Sequence, residues 1–185
     1  MAYYTALHDE EAREVLGYFV QLAKMDVDTR DVFGRTPFEV LLKNSGYSSE
    51  SLHWTLKTAQ MLYQLGSKDI NATAYGGNTV LHLTVWSTPS QWPTQLAQWV
   101  EAGVKDVPNE QGETALDMVE HTMKRIAKDN RLYTSVFESG VPSEYKKARK
   151  VLRNTPQEKQ RQAQRRKATK ELFLQTLQNI SLTDK

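Results

Sequence analysis

Apolar positions recur along the first two thirds of the chain at helical spacing. One stripe runs through Val15-Leu16, Phe19-Val20 and Leu22-Ala23. A second takes in Leu52, Leu56, Ala59, Met61-Leu62 and Leu65, and a third Leu96-Ala97, Trp99-Val100 and Ala102. Steps of three and four place each set on one face of a helix, so the pattern predicts three amphipathic helices. Each stripe ends in a related polar element. These are Lys24 to Asp28, Gly66 to Ala72 with Asp69-Ile70-Asn71 inside it, and Gly103 to Val107 with Asp106-Val107.

The segments after these elements align with one another. Gly34, Thr36 and Phe38 stand in the same relation as Gly77, Thr79 and Leu81, and as Gly112, Thr114 and Leu116, with threonine spacings of 43 and 35. The glycine suits a tight turn that a residue with a Cβ resists. The threonine two positions on can cap a following helix, and Pro37 sits at a first helical position where a missing N–H costs nothing. The Leu or Phe then begins another buried stripe. The predicted unit is turn, short helix, loop, second helix, and turn again.

With three such units in register, the chain resembles the ankyrin-repeat proteins, whose unit of roughly 33 residues carries a Gly-x-Thr-Pro-Leu-His segment and a later Gly-Ala-Asp-Val-Asn segment. The residues that carry the resemblance are Gly34-Arg35-Thr36-Pro37-Phe38, Gly77 through His82, Gly66 through Ala72, and Gly103 through Val107. It spans about residues 5–130. It implies an all-α fold, an ankyrin-like helical-repeat solenoid of about four units joined by turns or β-hairpin tips, and a C-terminal helix. Thr5 to His8 echo the motif and suggest a trimmed capping unit. The run from Thr114 to Gly140 suggests a degenerate fourth unit. Two insertions depart from the family period, Lys43 to Ser51 and Ser87 to Pro93. Both fall between paired helices.

Residues 141–185 change character. Ser143 is expected to cap a short helix with Tyr145, Ala148 and Leu152. Thr155-Pro156-Gln157-Glu158 then reads as a capping box opening a helix to about Ile180. The first half of that helix is polar all round, and only Phe173, Leu177 and Ile180 give its end an apolar face. Charge divides at the same place. Residues 1–140 hold 12 Lys and Arg against 18 Asp and Glu, whereas 141–185 hold 12 against 4, so −6 and +8 underlie the net +2. The expected division is a repeat domain over 1–140 and a basic helical tail over 141–185. A tail of that charge seeks an anionic partner: nucleic acid, an anionic membrane surface or an acidic protein face. The bland reading is a solubilising helix, or one folded back on the acidic repeats.

Candidate chemistry changes little. There is no cysteine, which removes disulfides, thiolate metal sites and thiol nucleophiles. Asp117 and His121 lie four apart on one helix but have no third ligand nearby, so neither a metal nor a catalytic role is expected. Tyr75 to Thr79 lack the Gly-Lys-Ser/Thr ending of a phosphate loop. His82, at the family's motif histidine, is expected to join neighbouring turns. No cofactor and no enzymatic activity are expected. Neither a secretory signal nor a membrane span is evident, and a cytoplasmic location is the default. Arg165-Arg166-Lys167 could serve as a nuclear import signal.

By resemblance, ankyrin stacks bind proteins with their turn tips and the inner face of their first helices. Carried over, that points to Phe33, Arg35, Tyr75, Asn78, Trp86, Gln111 and Glu113, with Val32, Glu110 and His121 beside them. Trp86 and Trp92 flank the Pro-rich insertion, where the rings either pin the loop or meet a partner. Phe33 and Tyr75 are candidate anchors, unless they stack on each other. Small irregular members of the family are frequent in intracellular bacteria and viruses, where they engage host or competitor proteins. The alternative is an adaptor whose tail binds an anionic partner through Lys146, Lys147, Arg149, Lys150, Arg153, Lys159, Arg161, Arg165, Arg166, Lys167 and Lys170 while the repeats recruit a protein.

Overall fold

The structure, a computed structural model, describes residues 17–18, 26–46, 48–132 and 142–183, with the side chains of 49, 128–132 and 173–183 left aside. The first apolar stripe and the segment 133–140 lie outside the described residues, apart from Gly17 and Tyr18, which are helical. Seven α-helices follow, and no strand occurs among the described residues: α1 (Pro37–Lys43), α2 (Ser49–Gln64), α3 (Val80–Trp86), α4 (Trp92–Glu101), α5 (Ala115–Leu132), α6 (Ser143–Arg153) and α7 (Pro156–Thr183). The chain is therefore all-α as described. Of the two connections expected, turns or β-hairpin tips, the described tips are hydrogen-bonded turns.

Three threonines start three helices in the same way. Thr36 Oγ1 accepts from the Glu39 amide at 3.2 Å, and the Glu39 carboxylate accepts from the Thr36 amide at 3.0 Å. Thr114 and Asp117 repeat the exchange, with both amide contacts at 3.1 Å. At Thr79 the third member is His82, whose Nδ1 accepts from the Thr79 amide at 3.2 Å. Each pair satisfies amides that a helix start leaves without partners. Asp117, considered above as a metal ligand, thus takes part in a helix cap.

The preceding turns are closed by local bonds. The Asp31 amide donates to the Arg35 carbonyl, Ala74 to Asn78, and Asn109 to Glu113, at 2.7–2.9 Å. Asp31 Oδ1 receives the amides of Phe33 and Arg35, and Asn109 Oδ1 those of Gln111 and Glu113. Ala74 has no such acceptor, and there the turn is a single 3₁₀ turn, Tyr75–Gly77. Gly77 has φ +71°, and a Cβ built there would lie 3.1 Å from the Glu110 amide nitrogen. Gly77→Ala is therefore expected to cost about 1–2 kcal/mol of stability, read as a lowered urea midpoint at unchanged slope.

The helices bury their apolar faces in one continuous cluster. Successive neighbours pack: α1 on α2, α2 on α3, α3 on α4 and α5, and α4 and α5 on α6. Phe38, Leu42, Leu52, Leu62, Leu81, Leu83, Leu96 and Val119 are all under 2% exposed. Between successive loops, Asp28 receives the Lys68 amide at 2.9 Å and Asn71 the Lys105 amide at 2.8 Å. Pro108 stands at the corresponding next position. The insertions lead into the second helices: Ser48 caps α2, and a 3₁₀ turn over Pro89–Gln91 leads into α4. Trp99 is buried with its ring edge-on to Phe38, whereas Trp54 is only half-buried.

The division expected at residue 140 does not separate two cores. Ala148 and Leu152 of α6 are fully buried in the same cluster as α3, α4 and α5. The Tyr145 ring meets Trp92 at 4.8 Å between centroids. Ser143 is the first residue of α6 and its cap position is Pro142. Thr155 does cap α7, its hydroxyl accepting from the Glu158 amide at 3.3 Å.

Candidate protein-binding surface

The turn tips carry exposed apolar side chains held on rigid backbone. Val32 is 94% exposed and Phe33 76%, while Tyr75 on the next tip is 67% exposed. Phe33 and Tyr75 do not stack on each other. The Phe33 ring lies under the Arg35 guanidinium at 4.8 Å, and Arg35 is itself fixed by Nε and Nη2 bonds of 2.9 and 2.7 Å to Asp31 Oδ2. That guanidinium, with the backbone amides of Arg35 and Phe33, holds the Asp31 carboxyl below the usual carboxylate range, the Arg35 side-chain bonds contributing most. The tip thus presents an aromatic ring whose rotamer is already restricted, which reduces the entropy lost on binding.

The second and third tips are joined. The Glu110 amide donates to the Gly76 carbonyl at 2.9 Å, and Asn109 Nδ2 to Asn78 Oδ1 at 2.9 Å. His82 completes the junction. Because its Nδ1 accepts from the Thr79 amide, Nε2 carries the proton and donates to the Glu113 carbonyl at 3.0 Å. The ring is fully buried, and that burial lowers its pKa although the Glu113 carbonyl pulls the other way. A neutral imidazole here is a strut between turns, as expected.

Behind this junction α3 and α5 enclose an open groove of about 340 Å³ lined by Val85, Trp86, Glu113, Met118, His121, Thr122 and Arg125. It brings together three residues selected from sequence, Trp86, Glu113 and His121. His121 Nδ1 lies 2.9 Å from Glu113 Oε1, and Trp86 is 38% exposed. Its floor, Val85 and Met118, is apolar, while Arg125 and the His121–Glu113 pair edge it with charge. Sequence reading missed Met118, Thr122 and Arg125. The signal was there, since 118, 121, 122 and 125 share one face of α5.

Two of the expected contact residues are withdrawn from the surface. Asn78 is 4% exposed, with Nδ2 bonded to the Tyr75 carbonyl at 2.8 Å and Oδ1 to Asn109. Trp92 is 3% exposed, with Nε1 donating to the Ser87 carbonyl at 3.1 Å. Trp92 pins the insertion and, through Tyr145, α6; it does not meet a partner. Gln111 is exposed, with its amide held by Asn109.

The tail cations divide by direction. Arg153 donates Nε and Nη2 to Glu120 at 3.0 and 2.6 Å. Arg161 reaches Asp117 Oδ2 at 3.1 Å and Glu158 Oε2 at 3.7 Å. Burial pushes the Asp117 carboxyl up, but the Thr114 amide and hydroxyl together with Arg161 outweigh it and hold it below the usual range. These two arginines, expected as anion-binding, are instead neutralised by the body. Lys146, Lys147, Lys150, Lys159, Arg165, Arg166, Lys167 and Lys170 are exposed, and Arg149 is partly so. None of these nine forms an ion pair among the described residues.

Among the described residues no group of three or more His, Asp or Glu side chains is gathered as a metal site, and Asp117 and His121 turn to Arg161 and Glu113 instead. No described helix is long and apolar enough to cross a membrane. Neither a protein-family model nor a curated protein matches the chain.

Proposed function

We propose that the chain is an ankyrin-type repeat stack that binds a protein partner without catalysing a reaction. Its contact surface is the turn tips, Val32, Phe33 and Tyr75, together with the groove between α3 and α5. The observation that carries this reading is the pairing of exposed aromatic side chains at the turn tips, which the core does not bury, with a half-apolar groove between α3 and α5. Aromatic anchors beside a polar rim are the usual composition of a binding hot spot. The recurrent threonine caps, turn bonds and loop-to-loop bonds support the repeat reading, since one local solution is reused at each unit.

The test is affinity capture from nuclease-treated lysate followed by measured binding of the captured protein. The double variant Phe33→Ala with Tyr75→Ala is expected to bind roughly tenfold or more weakly, because each anchor contributes on the order of 1–2 kcal/mol. Its melting temperature should be unchanged, since both rings are exposed. Trp86→Ala and Arg125→Ala should weaken binding through the groove. Full retention by all of these variants would sink the proposal.

A further inference from the structure

We propose that the outward face of α7 is a binding site for the phosphate backbone of duplex nucleic acid, read without regard to base sequence. The tail's cations are sorted by the direction they face. Those turned to the body, Arg153 and Arg161, are matched by Glu120, Asp117 and Glu158. Those turned away form no ion pair among the described residues, although Lys147 lies close enough to Glu144 to attract it. At 3.6 residues per turn, Lys159, Arg166 and Lys170 fall within about 40° of one line along the helix, with Lys167 about 60–80° to one side. Arg161, which reaches the body, lies about 160° from that line, and Glu158 about 100° from it. On α6 the same sorting holds: Lys146 and Lys150, a turn apart, lie opposite the buried Ala148 and Leu152.

The α7 stripe extends about 16 Å from Lys159 to Lys170, roughly the axial length of five phosphates of one strand. All residues from 163 to 172 are exposed, so this stretch of the helix turns most of its surface to solvent. A helix that is polar all round has no core of its own to complete, and a charged polymer is a partner that such a helix can follow. The chemistry favours duplex over the other anionic partners. Binding in a membrane interface needs a large apolar face opposite the charge, whereas the apolar residues Phe173, Leu177 and Ile180 follow the basic stretch along the chain and leave only Ala163 and Ala168 within it. Single strands are gripped by stacking on aromatic rings, and none lies between Pro156 and Leu172. Lysine and arginine without base-reading partners contact phosphate and specify no sequence.

The test is fluorescence anisotropy of the full chain with a labelled duplex DNA of mixed sequence, across salt from about 50 to 200 mM. Binding is expected to weaken steeply with salt. The triple variant Lys159→Gln, Arg166→Gln, Lys170→Gln should weaken it by roughly tenfold or more, and flatten the log–log salt slope by about 2–3. A charge-matched control, Lys68→Gln, Lys105→Gln and Lys124→Gln on the body, should leave both values near wild type. Circular dichroism of both variants checks that the helices persist. The proposal is overturned if duplex fails to bind at low salt, or if the control triple weakens binding as much as the stripe triple. It is equally overturned if phosphatidylcholine vesicles with about 30% phosphatidylserine capture the chain while duplex does not. None of these outcomes depends on the turn tips, so this inference stands or falls apart from the protein-binding one.

Discussion

His82→Ala is expected to reduce folding stability by roughly 3–5 kcal/mol. The side chain is fully buried, so its removal leaves a cavity. It also strands the Thr79 amide at the start of α3 and the Glu113 carbonyl 31 residues on. A chemical denaturation series at neutral pH measures the loss. The pH dependence then separates this junction from an ordinary core residue. The folded pKa lies below the unfolded value of about 6.5, because burial disfavours the charged ring. Above that value both states are neutral and the stabilisation is fully present. As pH falls below it, the unfolded chain takes the proton first, and the His82 contribution declines until the folded pKa is reached. The gap between wild type and His82→Ala should therefore be widest near pH 7 and narrow on acidification. A gap independent of pH would mean that the ring is not held neutral by its surroundings.

Asp106 works with the opposite sign and is common to both chains in that comparison. It is buried beneath the start of α5, accepting from the Ala115 amide at 2.9 Å and the Leu116 amide at 3.4 Å. Burial raises its pKa to about 6 despite those two bonds, with Asp117 and Glu158 adding to the rise. A raised folded value favours the fold where the group is protonated. This contribution grows as pH falls from about 6 towards 4, and it is lost as pH rises back through 6. The two shifts offset each other across mildly acid pH, so the wild-type profile should be flatter there than His82 alone would make it.

The parts of this architecture that were legible in the sequence are those set by neighbours in the chain. A glycine, a threonine two residues on and a hydrophobic residue after that define a turn and a helix start within six positions, and α1, α3 and α5 begin where that pattern places them. The stripes that became α2 and α4 were equally local. The site was legible only where exposure follows from the turn itself, as at Phe33 and Tyr75. Trp92 and Asn78 show why the rest was not. Whether a ring beside two prolines faces solvent depends on Tyr145, 53 residues later, and whether an asparagine at a turn is free depends on Asn109, 31 residues later. The same holds for the tail. Nothing in the spacing of Arg153 and Arg161 distinguishes them from Arg166, and only the approach of Glu120 and Asp117 separates cations spent on the fold from those left over.

Ending the chain at Gly140 is expected to damage the fold itself, and more severely than any single substitution. Leu152 and Ala148 would vanish from the common core, and Trp92 would lose Tyr145 from its face. Leu152→Ala alone should cost about 2–5 kcal/mol, since the residue is fully buried where α6 meets the rest of the core. Removing all of α6 adds the exposed apolar faces of α4 and α5 to that loss, against a total stability that for domains of this size is only about 5–15 kcal/mol. A chain ending at Gln162 supplies the contrast. It keeps Leu152, the Thr155 cap and the Arg161 pair with Asp117, and should unfold within about 1 kcal/mol of the full chain. Thermal or urea unfolding of the three lengths decides the matter. If the Gly140 chain melts with the full-length protein, residues 141–185 are an appendage after all. If it collapses while the Gln162 chain holds, the basic segment is two things in sequence. Its first helix closes the core, and its second carries the charge clear of it. Loss of partner binding on deleting the whole tail would then report unfolding, so the functions of the two surfaces have to be separated by substitution at the tips and along α7.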